Sequence, residues 1–151
     1  MGLYLEQTTK YVNGFLAPLG CLELTSSMVS NYVKKGLIPK PAKKQYYAEH
    51  LAYLFFVALA KQLVSMENIR LLLQIQQDSY ALPVAYDFMC KDLENLLFQV
   101  FGLQEPQDIP GVTMSEEKDL FHGLIYAAAQ VIFMNARFNA MREKHQDTDH
   151  T

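Results

Sequence analysis

Ser27, Ser30, Asn31 and Lys34 share one side of a short amphipathic segment, and Lys35, Lys40, Lys43 and Lys44 follow closely. Asn offers an acceptor and a donor that match an adenine edge, and Ser can donate or accept at several bases. A lysine ammonium suits a phosphate oxygen, which fixes register without reading sequence. These eight residues are therefore the candidate contacts to double-stranded DNA. Their charge is concentrated. Residues 24–48 contain five lysines and no acid, so the window carries +5 and leaves −8 for the rest of a chain whose net charge is −3. A basic patch on an acidic chain indicates nucleic-acid contact better than overall pI does. Charge alone reads equally well as a solvated lysine-rich loop.

Other chemistries find little support. Catalysis needs a nucleophile, a base or a bound cofactor within mutual reach. The chain has no Gly-x-Ser-x-Gly, no phosphate-binding glycine loop and no His-Glu-x-x-His. Glu116, Glu117 and Asp119 cluster, but a helix start accounts for them. The expectation is a non-enzyme without a cofactor. Cys90, His122 and His145 show no ligand spacing, so no metal site is expected. Cys21 and Cys90 could form one bridge or remain two reduced thiols of a cytosolic protein. The start lacks a signal-peptide layout, and Glu6 breaks the myristoylation pattern that Met1-Gly2 opens. The apolar run 120–136 is interrupted by His122, Gly123, Gln130 and Asn135, and a membrane span needs about 20 mostly apolar residues. A soluble, cytoplasmic chain is expected. With 50% hydrophobic and 19% charged residues among 151, it can bury a core rather than stay disordered.

The positioning elements follow from period and punctuation. A helix is predicted over 3–19, ended by Pro18 and Gly20. Thr25 or Ser26 caps the next helix, which buries Met28, Val29, Tyr32 and Val33 and ends at Gly36 as a left-handed C′ residue. Pro39 and Pro41 force extended chain. The basic tip at 42–45 and an aromatic strand at Tyr46-Tyr47 complete a small β-hairpin wing. A helix from Glu49 carries the stripe Leu51, Leu54, Phe55, Ala58 and Leu59, and Ser65 caps another. Residues 78–83 read as a connector, 84–101 as a helix stopped by Gly102, and 103–113 as a loop. Ser115 caps a last helix running to about Lys144, with a frayed tail from Gln146.

This order resembles the DNA-binding half of the MerR family of winged-helix regulators. The matching pieces are Tyr32, Gly36-Leu37-Ile38-Pro39, Pro41, Tyr46, Leu51, Leu54 and Ser65-Met66-Glu67-Asn68-Ile69. Lys44 stands nearest the arginine that the MerR wing usually offers, and the helix lacks the arginine often found near its start. The string Leu-Thr-Ser-Ser-Met-Val-Ser-Asn-Tyr-Val-Lys-Lys-Gly-Leu-Ile-Pro-Lys-Pro also resembles an uncharacterised bacterial family known only as a domain of unknown function, over most of the chain. The MerR resemblance implies a mainly α fold: a winged helix-turn-helix lobe over 1–77 and a C-terminal helical lobe over 78–151, separate or in one continuous core. It implies a transcriptional regulator, with residues 26–35 in the major groove and 42–46 on phosphates. It also raises a small-molecule effector of unknown identity. Met89, Phe98, Phe133 and Met134 could line an apolar pocket or be ordinary core.

In the last helix Leu120, Leu124, Ala127, Val131, Met134, Phe138 and Met141 form a heptad seam. A second row, Phe121, Ile125, Ala128 and Ile132, leaves the helix apolar on two sides. One side can pack within the chain and the other can meet a second copy, giving a homodimer suited to a two-fold operator. A wholly intramolecular three-helix core fits as well. The alternative from another class is a helical protein-interaction module that keeps the fold without binding DNA.

Overall fold

Six α-helices carry the described part of the chain, which in this computed structural model is residues 1–20, 23–107 and 115–149. They are α1 (Leu5–Leu16), α2 (Ser26–Lys34), α3 (Ala48–Ala60), α4 (Met66–Ser79), α5 (Leu82–Val100) and α6 (Glu116–Asp149). Pro18 tightens the end of α1 into a 3₁₀ turn at Ala17–Leu19. Cys21, and with it any bridge to Cys90, lies outside the described residues, as does most of the loop expected at 103–113. The Cys90 side chain is exposed.

Helix α3 is the hub. Its sequence is apolar on nearly every side, and Ala52, Tyr53, Leu54 and the run from Phe56 to Ala60 are all buried. The stripe expected there is too narrow, and two of its members, Leu51 and Phe55, are the partly exposed ones. One hydrophobic core runs from Val12 of α1 through Val29 and Tyr32 of α2 to Ile125 and Ile132 of α6. The two expected lobes share it. Fully burying one such aliphatic side chain contributes roughly 1.5–3 kcal/mol, so this shared core is the main tie between the halves.

Three boundaries differ from expectation. Helix α4 continues to Ser79, leaving only Tyr80 and Ala81 before α5. Pro83 then falls in the first turn of α5, where its missing N–H costs nothing. The tail from Gln146 is helical to Asp149. No β-strand forms among the described residues. The expected β-hairpin wing is instead a two-residue turn closed by one backbone pair, Ala42 with Gln45. Pro39 and Pro41 explain this, because an arm without those N–H donors cannot sustain a ladder.

Helix α5 packs most extensively on α6. Between them lies Asp92, wholly buried, with both carboxylate oxygens 2.8 and 3.0 Å from Nδ1 of His122. Burial raises the Asp92 pKa above 3.8, and the His122 hydrogen bond offsets this only in part. The folded chain therefore holds this proton more tightly than the unfolded chain. The stability that follows is full below pH 3.8 and is lost as pH rises through the raised value. In a pH series of urea unfolding, Asp92→Asn is expected to remove that downward component. A wild type and variant with parallel pH profiles would refute the assignment.

Candidate nucleic-acid interface

The α2 segment is framed at both ends by hydrogen bonds that its sequence dictates. Thr25 is the N-cap, its side chain accepting from the Met28 amide at 3.1 Å. At the other end Gly36 has φ +73°, a conformation in which a side chain is strained. The Gly36 amide donates to Val33 and the Leu37 amide to Tyr32, the paired bonds of a Schellman cap. Leu37 and Ile38 are then buried, so the chain leaves α2 along the core. Arg70 of α4 donates to the Lys35 carbonyl at 2.5 Å.

Asn13 of α1 fixes the approach to α2. Its side chain donates to the Leu24 carbonyl at 2.7 Å and accepts from the Leu24 amide at 2.8 Å, as a neighbouring strand would. Ser26 donates to Thr9 of α1 at 3.2 Å. Val29 and Tyr32 face inward, as expected from spacing, and Met28 and Val33 are half-buried. The opposite face is displayed. Ser27, Ser30 and Lys34 are exposed and Asn31 is half-buried. Together with Leu5 and Ser26 they line one shallow depression.

Lys35, Lys40, Lys43 and Lys44 are exposed along the segment that follows. Lys43 and Lys44 are the centre of the turn, with φ of +51° and +65°. Two successive positive values are those of a type I′ turn, which favours Asn and Gly. A buried histidine holds the base of this turn. His50 is 2% exposed. Its Nδ1 accepts from the Tyr47 amide at 2.8 Å, so Nε2 carries the proton and donates to the Lys40 carbonyl at 3.2 Å. The N-terminal arm braces the other side, where Leu3 and Tyr46 exchange backbone bonds of 2.9 and 2.7 Å. Gly2 fits closely there, because a Cβ would lie 2.8 Å from the Cβ of Gln45 and the turn would have to shift.

Sequence reasoning did not single out Asn13, His50, Arg70 or the arm at Leu3. His50 at the third helical position after an aromatic is a readable capping signal. The other three depend on tertiary pairing.

The proposed dimer seam divides. Leu124 is taken into the chain's own core, and Ala127 and Val131 are half-buried. Leu120, Met134, Phe138 and Met141 are exposed. The second row supplies Ile125, Ala128 and Ile132 to the core, while Phe121 packs its ring 5.9 Å from Phe56 of α3. From residue 136 to 149 every position of α6 is exposed, so the helix end projects about 21 Å past the body at 1.5 Å per residue. No group of three or more His, Cys, Asp or Glu is placed to hold a metal among the described residues. No described helix is long and apolar enough to cross a membrane.

These features define a mainly helical protein that displays a polar helix face beside a lysine-tipped turn. The chain belongs to the family described as Domain of unknown function (DUF1836), whose family model matches residues 1–88. That range takes in the α2 face, the turn and the start of α5, short of the near-full span suggested by the sequence. The match carries no link to the MerR regulators. No curated protein and no solved structure matches the chain.

Replacing Lys43-Lys44 by Asn-Gly is expected to raise unfolding stability by about 1 kcal/mol, because the left-handed conformation is strained for lysine. A urea midpoint no higher than wild type would remove the strain argument.

Proposed function

We propose that the chain is a homodimeric DNA-binding regulator. Residues 26–35 lie in the major groove and the turn at 42–46 sits on phosphates. The observation that carries this reading is the shared depression on α2: Ser27, Ser30, Asn31 and Lys34 face outward together while the back of the helix is locked to the core. Short polar groups on a rigid helix suit base edges. Lys35, Lys40, Lys43 and Lys44 on the following segment suit the flanking backbone. Arg70, exposed beside the C-terminal end of α2, adds a positive charge at the same edge.

Dimerisation is proposed through the projecting part of α6. A helix projecting about four turns gains little stability alone in water, and Met134 at its base is followed by Phe138 and Met141 within it, at spacings of four and three. A second copy covers them and presents two α2 faces to a two-fold site.

A second reading, a helical protein-interaction module, draws on a different feature. Tyr11 and Phe15 of α1 are half-exposed and line, with Phe55 of α3 and Leu93 of α5, an open apolar cleft of about 580 Å³. Exposed aromatic clefts are common at protein interfaces.

A binding isotherm to double-stranded DNA from the upstream region of its own gene, taken over a salt series, separates the readings. The regulator is expected to bind with an affinity that falls steeply with salt. Lys43→Ala/Lys44→Ala is expected to flatten the logarithmic slope by about two, one for each phosphate no longer neutralised. Asn31→Ala is expected to weaken a preferred sequence by about tenfold while sparing non-specific binding. No binding at low salt would sink the DNA reading.

Oligomeric state is tested separately by sedimentation. The wild type is expected to be a dimer and Met134→Glu/Phe138→Glu a monomer. A wild type that stays monomeric at every concentration contradicts the seam.

A further inference from the structure

A nearly wholly apolar cavity of about 70 Å³ lies where α3, α4, α5 and α6 meet. Tyr53 and Phe56 come from α3, Leu73 and Gln76 from α4, Met89 from α5 and Phe121 from α6. One side chain of this lining is unbalanced. Gln76 is 7% exposed. Its Nε2 donates to the Tyr80 carbonyl at 2.9 Å, which orients the amide. Its Oε1 has no partner, the one buried side-chain nitrogen or oxygen so placed among the described residues. An acceptor left this way is destabilising, so an occupant that supplies a donor is favoured.

The surroundings decide what that occupant is. An internal water needs two to four polar partners; Gln76 apart, the polar side chains of this lining are Tyr80, Tyr86 and Lys118, whose ammonium lies 5.4 Å over the Tyr80 ring, and the surface it presents is almost entirely hydrocarbon and aromatic. Burial pushes the Tyr86 hydroxyl on the same wall up to about 12, with Cys90 as its hydrogen-bond partner. That hydroxyl is engaged, and its surroundings are of low polarity. The Tyr80 hydroxyl is likewise engaged, 3.1 Å from Oγ of Ser115. An apolar cavity of roughly 150 Å³ encloses a benzene ring. At about 70 Å³ this one takes only part of a ring, leaving the remainder toward the rim at Val84, which is 60% exposed.

We infer that this cavity binds a small, mostly apolar aromatic molecule carrying one hydroxyl or N–H, which donates to Oε1 of Gln76. The ring packs among Tyr53, Phe56 and Phe121, and the single donor completes the amide. The site joins the part of the chain that matches the family model to α6. Its occupancy does not depend on the DNA-binding reading and is measured without DNA.

The probes are phenol and toluene, which share shape but differ in the donor. Each is titrated into the full chain and followed by amide-correlation NMR. Phenol is expected to shift resonances around Leu73, Ala85 and Ile125. Gln76→Leu is expected to lower the phenol-over-toluene preference about tenfold, since only phenol loses a bond. Ala85→Phe, which fills the cavity from α5, is expected to abolish both ligands' shifts. A wild-type chain unshifted there by phenol overturns the site, as does an Ala85→Phe chain that binds both probes like wild type. A phenol preference unchanged in folded Gln76→Leu overturns the role of the amide. Should Gln76→Leu not fold, Gln76→Met, which keeps the length and lacks the amide acceptor, is expected to lose the phenol preference; a preference retained there overturns the role of the amide, and the Ala85→Phe comparison still decides occupancy.

Discussion

The lysine-tipped turn exists in its observed form because one buried imidazole spans its base. His50 binds the chain where it enters the turn, at the Lys40 carbonyl, and where it leaves, at the Tyr47 amide. A two-residue turn closed by a single backbone pair has little stability of its own. Loss of the ring would leave a carbonyl and an amide unpaired beside the core, at about 1–3 kcal/mol each. The ring also packs edge-on against Tyr46 at 5.5 Å, and Tyr46 in turn carries the N-terminal arm through Leu3. Removing His50 would therefore release the arm, the turn and the first turn of α3 together.

The same logic extends to α2. Its outward face, with Ser27, Ser30, Asn31 and Lys34, is polar, so burial of that face contributes little to its own placement. Placement comes from behind and from the ends: Asn13 at the approach, Thr25 at the cap, Gly36 and Leu37 at the exit and Arg70 on the Lys35 carbonyl. Thr25, Gly36, Leu37 and Arg70 engage backbone groups that a nine-residue helix would otherwise leave open, and Asn13 engages those of Leu24 just ahead of it. A surface that must present side chains to a partner is free of structural duty when its neighbours carry it.

How much of this is readable from sequence varies with the range of the interaction. Thr25, Ser65 and Gly36 act within one turn, and their types announce the roles they have. The two sides of α2 follow from spacing alone. The wing does not, because Tyr46-Tyr47 has strand character while Pro39 and Pro41 deny the partner arm its donors, and the prolines win. Helix α3 passes for an amphipathic stripe in sequence because a helix buried all round has no single face to detect. In α6 both apolar rows fit the heptad pattern. Which row enters the core depends on where α3 and α5 lie, and no local signal carries that information.

The C-terminal pair shows how a cavity can arise from competing interactions. Helix α5 packs closely on α6 along its length and is pinned there by the Asp92–His122 bond. Its attachment to α4 is slighter. Its N-terminal turns consequently stand between two apolar spaces, and Leu82, Tyr86 and Met89 line both. A shift of α5 off α6 that closed either space would part Asp92 from the histidine that hydrogen-bonds it. Apolar packing alone would favour that collapse. Loss of the His122 hydrogen bond by the wholly buried Asp92 carboxyl opposes it, because a buried polar group left without a partner is costly. The polar clip between α5 and α6 thus opposes closure of the space that Gln76 lines, and the two features belong to one packing compromise.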